Sequence, residues 1–172
     1  MGLRGELLVK IGQPQEGCSL LRAADSRLKA ARNGSHATYV ARALAEGLAA
    51  TGALDEAFVT VEWAIKEAQR RGGTWDLPEL LRLQGVLQAS RSPMDVRAVD
   101  ATLSSAIDLA RRDGALALEL RATTALACER LRRGGAADVL GDLSAVYARF
   151  TEGRETPDLR AARSLLERRV DR

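Results

Sequence analysis

Glycines and prolines divide the 172-residue chain into nine stretches with helical periodicity, and this division limits what it can fold into. In one stretch, Leu54, Phe58, Val61 and Ile65 follow the three-to-four-residue spacing of an amphipathic helix. Because the gaps are short, consecutive helices must lie antiparallel. The predicted helices are 2–11, 14–32, 36–51, 54–71, 77–90, 94–113, 115–133, 136–150 and 157–170.

The composition supports an all-helical chain. Alanine and leucine supply 30 and 26 residues, valine and isoleucine together only 13, and aromatic residues make up 3%. Strands favour β-branched and aromatic side chains, whereas alanine, leucine, arginine and glutamate favour helices. The composition therefore excludes a β-sandwich, a β-barrel and most α/β enzymes.

A repeat of about forty residues runs through these stretches. Apolar residues recur at spacings of 40, 42 and 40, at Leu21, Val61, Leu103 and Leu143, and three positions later at Ala24, Ala64, Ala106 and Val146. A small residue in the first helix of each pair recurs at Gly5, Ala45, Gly85 and Ala127. Such a residue lets two helix backbones approach closely, so the repeat predicts stacked helix pairs.

The turn between paired helices also repeats. Gly12 is followed by Glu16 and a small residue, and Gly52 is followed by Glu56 and a small residue. This pattern resembles a tetratricopeptide repeat (TPR) stretched from about 34 to about 40 residues. The resemblance implies an all-α, right-handed α-α superhelix, a TPR-like solenoid of about four helix pairs plus a C-terminal capping helix. We expect a single domain over 1–172, with approximate repeats 1–33, 34–73, 74–114 and 115–150 and a capping helix at 156–170.

A second resemblance lies near the C-terminus. The run AVYARFTEGRETPDL at 145–159, followed by AARSLLE at 161–167, is similar to the tail of large bacterial regulatory proteins of the adenylate-cyclase-like and predicted-ATPase type. The segment 112–121 resembles their repeat linkers. This resemblance implies a sensing or scaffolding arm of a bacterial signalling protein, without the catalytic modules of those proteins.

The sequence carries no recognisable catalytic motif. It lacks the GxxxxGK[ST] and GxGxxG phosphate-binding patterns. A Ser–His–Asp triad would need His36, the one histidine, and a two-histidine metal site is excluded. His36 follows Ser35, whose role as a helix N-cap explains the polar run at 33–36. We therefore expect no enzyme activity, no cofactor and no metal.

Charge and cysteine content indicate a cytoplasmic protein. The chain has 26 basic and 23 acidic residues, a net charge of +3, too small an excess for a nucleic-acid footprint. Cys18 and Cys128 are isolated and are expected to be reduced. Arg4 and Glu6 interrupt the first apolar stretch, so no signal peptide is visible, and no apolar window is long enough to span a membrane.

A solenoid presents a concave surface built from the first helix of each pair, and this surface is the predicted binding site for a protein or peptide. Arg42, Arg82 and Arg121 are spaced by 40 and 39 residues and would form a ladder for an acidic peptide. Alternatively, Arg42 pairs with Glu46 and Arg82 with Glu79 on their own helices, which we favour. The candidate groove residues are Glu6, Val9, Tyr39, Arg42, Glu46, Glu79, Arg82, Val86, Arg121, Thr124 and Cys128.

The tryptophans and the chain ends suggest other roles. Trp75, in a predicted loop, is a candidate partner anchor, whereas Trp63 is expected to pack between repeats. A second hypothesis is a small-molecule sensor, which predicts an apolar cavity near one of these tryptophans. The first helix has no evident cap, which suggests a truncated larger protein or a homodimer. The expected polar face of the capping helix comprises Arg160, Arg163, Glu167 and Arg168.

Overall fold

The computed structural model describes residues 1–31, 34–72, 75–134 and 137–167 of the chain. Within these ranges the chain forms helices and no strand. Every predicted helix is confirmed, and the ends that the described residues test lie within about two residues of the prediction. The helices are α1 (Gly2–Lys10), α2 (Pro14–Ala30), α3 (Gly34–Ala50), α4 (Leu54–Arg70), α5 (Leu77–Arg91), α6 (Val96–Arg112), α7 (Leu116–Arg132), α8 (Ala137–Ala148) and α9 (Pro157–Glu167).

The turns that connect the two helices within each of the first two pairs have the same geometry. Gly12 and Gly52 have φ angles of 84° and 82°, in the left-handed region that favours glycine. The residue after each glycine donates its N–H to a carbonyl five residues earlier, in Leu8 and Leu48, at 2.8 and 2.9 Å. This is the Schellman motif, which ends a helix and reverses the chain. The forty-residue spacing of the two glycines therefore reports a real structural repeat.

The helices form two layers. The inner layer consists of α1, α3, α5, α7 and α9, and each of these helices packs against the next one in the layer. The outer layer consists of α2, α4, α6 and α8, whose described backbones make no such contact with one another. Because the inner helices lie closer together than the outer ones, the stack curves, and the free face of the inner layer is its concave side. We call this face the concave groove.

The predicted repeat positions form the core between the two layers. Leu21, Val61, Leu103 and Leu143 are completely buried. The alanines and valine three positions later are also buried, on the same helix faces. Burying one leucine side chain contributes about 1.5–3 kcal/mol, so the four equivalent positions stabilise each outer helix against its neighbours.

Close helix packing explains the small residues in the inner layer. A Cβ atom on Gly5 would lie 2.9 Å from the carbonyl oxygen of Gly17, in the helix it crosses. A Cβ atom on Gly85 would lie 2.7 Å from the side chain of Leu103. Ala45 and Ala127, the equivalent residues, are completely buried. The prediction of a close approach at these positions is confirmed.

Helix α9 continues the inner layer, because it packs on α7 as well as on α8. Its residues Leu159 and Ala162 are buried. Arg160 and Glu167 are exposed to solvent and Arg163 is partly exposed, as expected for the outer face of a capping helix. Arg168, assigned to the same face, and residues 168–170 of the predicted helix lie outside the described residues.

Trp63 packs between repeats, as predicted. Its half-buried ring packs against the buried core that contains Leu21 and Val61, and the Nζ atom of Lys29 lies 3.8 Å from the ring centroid. Lys29 belongs to α2 and Trp63 to α4, so this cation–π contact joins two outer helices. In the described ranges, none of the helices combines the length and the apolar character needed to cross a membrane.

Candidate functional site

A chain of ion pairs lies along the floor of the concave groove. It starts at Glu6 of α1, a buried carboxylate that accepts hydrogen bonds from the hydroxyl of Tyr39, from Lys10 Nζ at 2.9 Å and from Arg42 Nη2 at 3.1 Å. Burial raises the pKa of Glu6, but these three donors outweigh it and hold the pKa at about 2. The Glu6 carboxylate is therefore charged at neutral pH.

The chain of ion pairs continues across α3, α5 and α7. Arg42 contacts Glu46 at 2.9 Å, and Arg82 lies 3.9 Å from the same carboxylate. Glu79 then accepts a hydrogen bond from Arg82 at 2.8 Å and forms an ion pair with Arg121, also at 2.8 Å. The two pairings that we favoured from the sequence, Arg42 with Glu46 and Arg82 with Glu79, are both present.

The last contact reaches α9, where Arg121 Nε lies 3.8 Å from Asp158. We call the whole set the ion-pair network. It contains four cations and four carboxylates, so its formal charge is zero: Lys10, Arg42, Arg82 and Arg121 with Glu6, Glu46, Glu79 and Asp158. The three predicted ladder arginines are thus stacked along the groove but neutralised by neighbouring carboxylates.

A pocket of about 510 Å³ lies at the C-terminal end of the concave groove. We call it the α9 pocket, because α9 closes one side of it. It brings together five predicted groove residues with residues of α9 that the sequence reasoning assigned only to a cap. Its lining is Arg82, Val86, Arg121, Thr124, Ala125, Cys128, Glu129, Asp158, Ala161, Ser164 and Leu165.

Two side chains of the α9 pocket, Thr124 and Cys128, carry groups that a bound ligand would contact or cover. The Thr124 hydroxyl is shielded from solvent and has no hydrogen-bond partner in the described part of the chain. A buried hydroxyl without a partner costs free energy, which a bound donor or acceptor would recover. Cys128 is exposed, in contrast to the buried Cys18, so its thiol is open to reagents.

A larger pocket, of about 710 Å³, lies at the N-terminal end of the molecule. We call it the Trp75 pocket. It is bounded by α1, α2, α3 and the segment before α5. Its lining is Met1, Gly2, Leu3, Ala24, Arg27, Leu28, His36, Tyr39, Val40 and Trp75. The small-molecule hypothesis predicts a cavity near a tryptophan, and a cavity is present beside Trp75.

Trp75 is 72% exposed, although it contacts another aromatic ring. Its ring centroid lies 6.5 Å from that of Tyr39, with the planes inclined by 35°. The Cζ atom of Arg42 lies 5.1 Å from the centroid of the Tyr39 ring. The aromatic pair therefore joins the Trp75 pocket to the start of the ion-pair network.

One predicted groove residue points elsewhere. Val9 packs toward Gly17 and Gly47, between α1, α2 and α3, where a Cβ atom on either glycine would lie within 3 Å of its methyl group. The prediction that Val9 faces the groove is wrong, because these two glycines leave a space that the valine fills. The side chain of Ser35, predicted to be an N-cap, lies outside the described residues.

The described residues show no grouping of histidine, cysteine, aspartate or glutamate side chains that could hold a metal ion. His36 is exposed and lines the Trp75 pocket. The groove as described therefore offers packing surfaces, paired charges and hydrogen-bonding groups.

No protein-family model and no curated protein matches the chain. A solved structure does: a crystal structure of a protein from Podosopora anserina, described as a kinesin light chain with nearly identical TPR-like repeats. The TM-score is 0.72, and the match covers 99% of this chain and 83% of that chain at 16% sequence identity. The fold is a TPR-like solenoid. At this identity the likeness shows the fold alone, and the predicted all-α, right-handed α-α superhelix is confirmed.

Proposed function

We propose that the chain is a non-enzymatic interaction module whose concave groove binds a peptide or a protein segment. The observation that carries the proposal is the α9 pocket, in which residues of three successive inner helices converge on the groove. Stacked helix pairs commonly bind extended segments on such a concave surface. The proposed binding site comprises Tyr39, Arg42, Glu46, Trp75, Glu79, Arg82, Arg121 and Thr124.

The charge balance of the ion-pair network bears on the partner. Because the arginines of the floor are already paired, an acidic segment would have to displace carboxylates that are held at hydrogen-bonding distance. Breaking such partly buried pairs is costly. We therefore propose that recognition depends on hydrogen bonds in the α9 pocket and on apolar contacts, and less on the net charge of the segment.

Peptide display tests this proposal. Peptides selected on the wild-type chain should lose affinity by about tenfold when Arg121→Ala and Thr124→Val are combined, since each removes a hydrogen-bonding group from the α9 pocket. The control is Arg22→Ala, because Arg22 is half exposed and pairs with Glu56 on the outer layer. Equal losses in both variants, or a loss in the control only, would contradict groove binding.

Self-association is another form of the same function. Leu3, Leu7 and Ile11 form an exposed stripe along α1, between 57% and 74% exposed. The repeat equivalents of Leu3 and Leu7, Ala43 and Gly47, are buried in α3, whereas Thr51, the equivalent of Ile11, is exposed. The part of the stripe at Leu3 and Leu7 is therefore of the kind that stacks on another helix. We propose a homodimer through this stripe, which light scattering tests: Leu7→Glu should lower the mass from two chains to one, and a wild-type monomer would refute it.

The second candidate function is small-molecule sensing, and the Trp75 pocket is the observation that favours it. Its volume of about 710 Å³ lies within the range of about 300–1,000 Å³ that is typical of ligand sites. In this proposal the ligand would change how the first repeats stack. A ligand-dependent change in tryptophan fluorescence would support it, and none across a panel of apolar compounds would refute it.

We also propose a cellular setting for the chain. The resemblance of 145–159 to the tails of bacterial cyclase-like and predicted-ATPase regulators supports a cytoplasmic signalling role. The small net charge and the lack of a long apolar window support a partner that is neither a nucleic acid nor a membrane. The forty-residue repeat supports a single domain with repeats 1–33, 34–73, 74–114 and 115–150. Limited proteolysis tests this unit, since one domain should be cut only near its ends.

A further inference from the structure

We propose that the Trp75 pocket binds a small amphipathic carboxylate, a medium-chain aliphatic acid, with its chain against the apolar wall and its carboxylate at Arg27. The inference rests on the second candidate function and names its ligand class. It depends on three properties of the pocket: an apolar wall, one cation without an ion partner, and a lining without a carboxylate.

The wall of the Trp75 pocket is apolar. Leu3 and Trp75 are 74% and 72% exposed, and Leu28 and Val40 also line the pocket. The hydroxyl of Tyr39, which also lines the pocket, already donates to Glu6. A ligand lying on this wall therefore gains from burying apolar area and meets few hydrogen-bonding groups.

Arg27 supplies the charge. In the described ranges its guanidinium makes no ion pair, and its Nη1 donates to the thioether sulfur of Met1 at 3.4 Å. A thioether is a weak acceptor and does not neutralise a cation. Arg42, the nearest arginine on the groove floor, is by contrast held between Glu6 and Glu46. Arg27 is thus the pocket's available partner for an anion.

The described lining residues include no aspartate or glutamate, so no carboxylate of the lining itself opposes a bound anion. One guanidinium fits one carboxylate in a bidentate pair. A peptide segment would in addition need several partners for its backbone groups, and the apolar wall does not offer them. These properties favour a short aliphatic acid as the occupant.

Calorimetry with sodium decanoate, kept below the concentration at which it forms micelles, tests the proposal. The matched probe is decanol, which has the same chain without the charge. The variants are Arg27→Gln and Arg97→Gln, because Arg97 is exposed and makes no ion pair in the described part of the chain, on α6 far from the pocket. Trp63→Phe leaves Trp75 as the single fluorescent reporter.

The proposal predicts saturable decanoate binding, a blue shift of Trp75 emission, and about tenfold weaker binding in Arg27→Gln but not in Arg97→Gln. Decanol should bind about tenfold more weakly than decanoate and should not respond to the loss of Arg27. If decanol binds as well as decanoate, the carboxylate preference is wrong, although the pocket still takes small molecules. If neither probe binds, both this inference and the second candidate function fail, while groove binding is unaffected.

Discussion

Arg42 Nη2 lies 3.1 Å from Glu6 Oε1, and less than a tenth of either side chain is exposed. The contact joins α1 to α3 across 36 residues of sequence. Both charged groups are buried away from solvent, so each depends on the other for stabilisation. This pair therefore couples the packing of the first two helix pairs to the charge state of the groove floor.

Removing the Glu6 charge should destabilise the fold. In Glu6→Gln, Arg42 keeps Glu46 but loses its carboxylate on α1, and Lys10, Arg42 and Tyr39 share one neutral amide oxygen in place of two charged oxygens. Leaving a buried cation partly unpaired costs about 3 kcal/mol. Urea unfolding at pH 7 should show this loss. The matched variant Glu16→Gln, at an exposed carboxylate 3.9 Å from Arg4, should change the free energy of unfolding by less than about 1 kcal/mol.

Acid should weaken the same contact. The folded-state pKa of Glu6 is about 2, below its ordinary value of 4.5, so protons bind the unfolded chain more readily. The stabilisation is complete above about pH 4.5 and is lost as the pH falls toward 2, a difference of about 3 kcal/mol. Unfolding free energies between pH 5 and pH 2 should fall less steeply in Glu6→Gln. Identical slopes in the wild-type chain and in Glu6→Gln would contradict the lowered pKa of Glu6.

Two glycines in helices should respond oppositely to alanine. In Gly5→Ala the new Cβ would meet the Gly17 carbonyl oxygen at 2.9 Å, and overpacking of this kind costs about 1–3 kcal/mol. Gly141 in α8 is exposed with nothing within 4 Å of a Cβ, so Gly141→Ala should stabilise by about 1 kcal/mol. Thermal unfolding of the two variants measures both effects. Stabilisation by Gly5→Ala would mean that α1 and α2 do not cross this closely.

The two thiols should differ in reactivity. Burial raises the pKa of Cys18, which lowers its thiolate fraction as well as its accessibility, whereas Cys128 is exposed. Iodoacetamide at pH 8 should therefore modify Cys128 first, which mass spectrometry of proteolytic fragments can follow. Modification of Cys18 at the same rate would show that the α2–α3 core opens readily.

The fold could be predicted from the sequence because the helix periodicity, the repeat spacing and the turn glycines all indicate the same structure. The residues at Leu21, Val61, Leu103 and Leu143 follow one spacing, and all four are buried in equivalent places. Gly12 and Gly52 fix the turns by a backbone conformation that glycine favours. Local helix signals and a regular repeat together leave few arrangements other than a stack of helix pairs.

The site was predicted less completely, because it depends on contacts between distant repeats. The pairs Arg42–Glu46 and Arg82–Glu79 lie within one helix and can be read from their spacing. The contacts of Arg42 with Glu6 and of Arg121 with Glu79 span 36 and 42 residues, and the spacing within one helix does not indicate them. Helix α9 entered the reasoning only as a cap, although Asp158 and Ser164 line the pocket beside α7. Both side chains are exposed, so the buried apolar stripe of α9 gives no signal for them.

The rate of Cys128 alkylation in the presence of a display-selected peptide tests the central proposal most directly. If the concave groove is the binding surface, a saturating peptide covers the α9 pocket and should slow the reaction of Cys128 by tenfold or more. A cysteine placed at the exposed Ser105 on outer-layer helix α6 should react at an unchanged rate. An unchanged Cys128 rate with the peptide fully bound, or protection at position 105 instead, would show that the groove is not the binding surface.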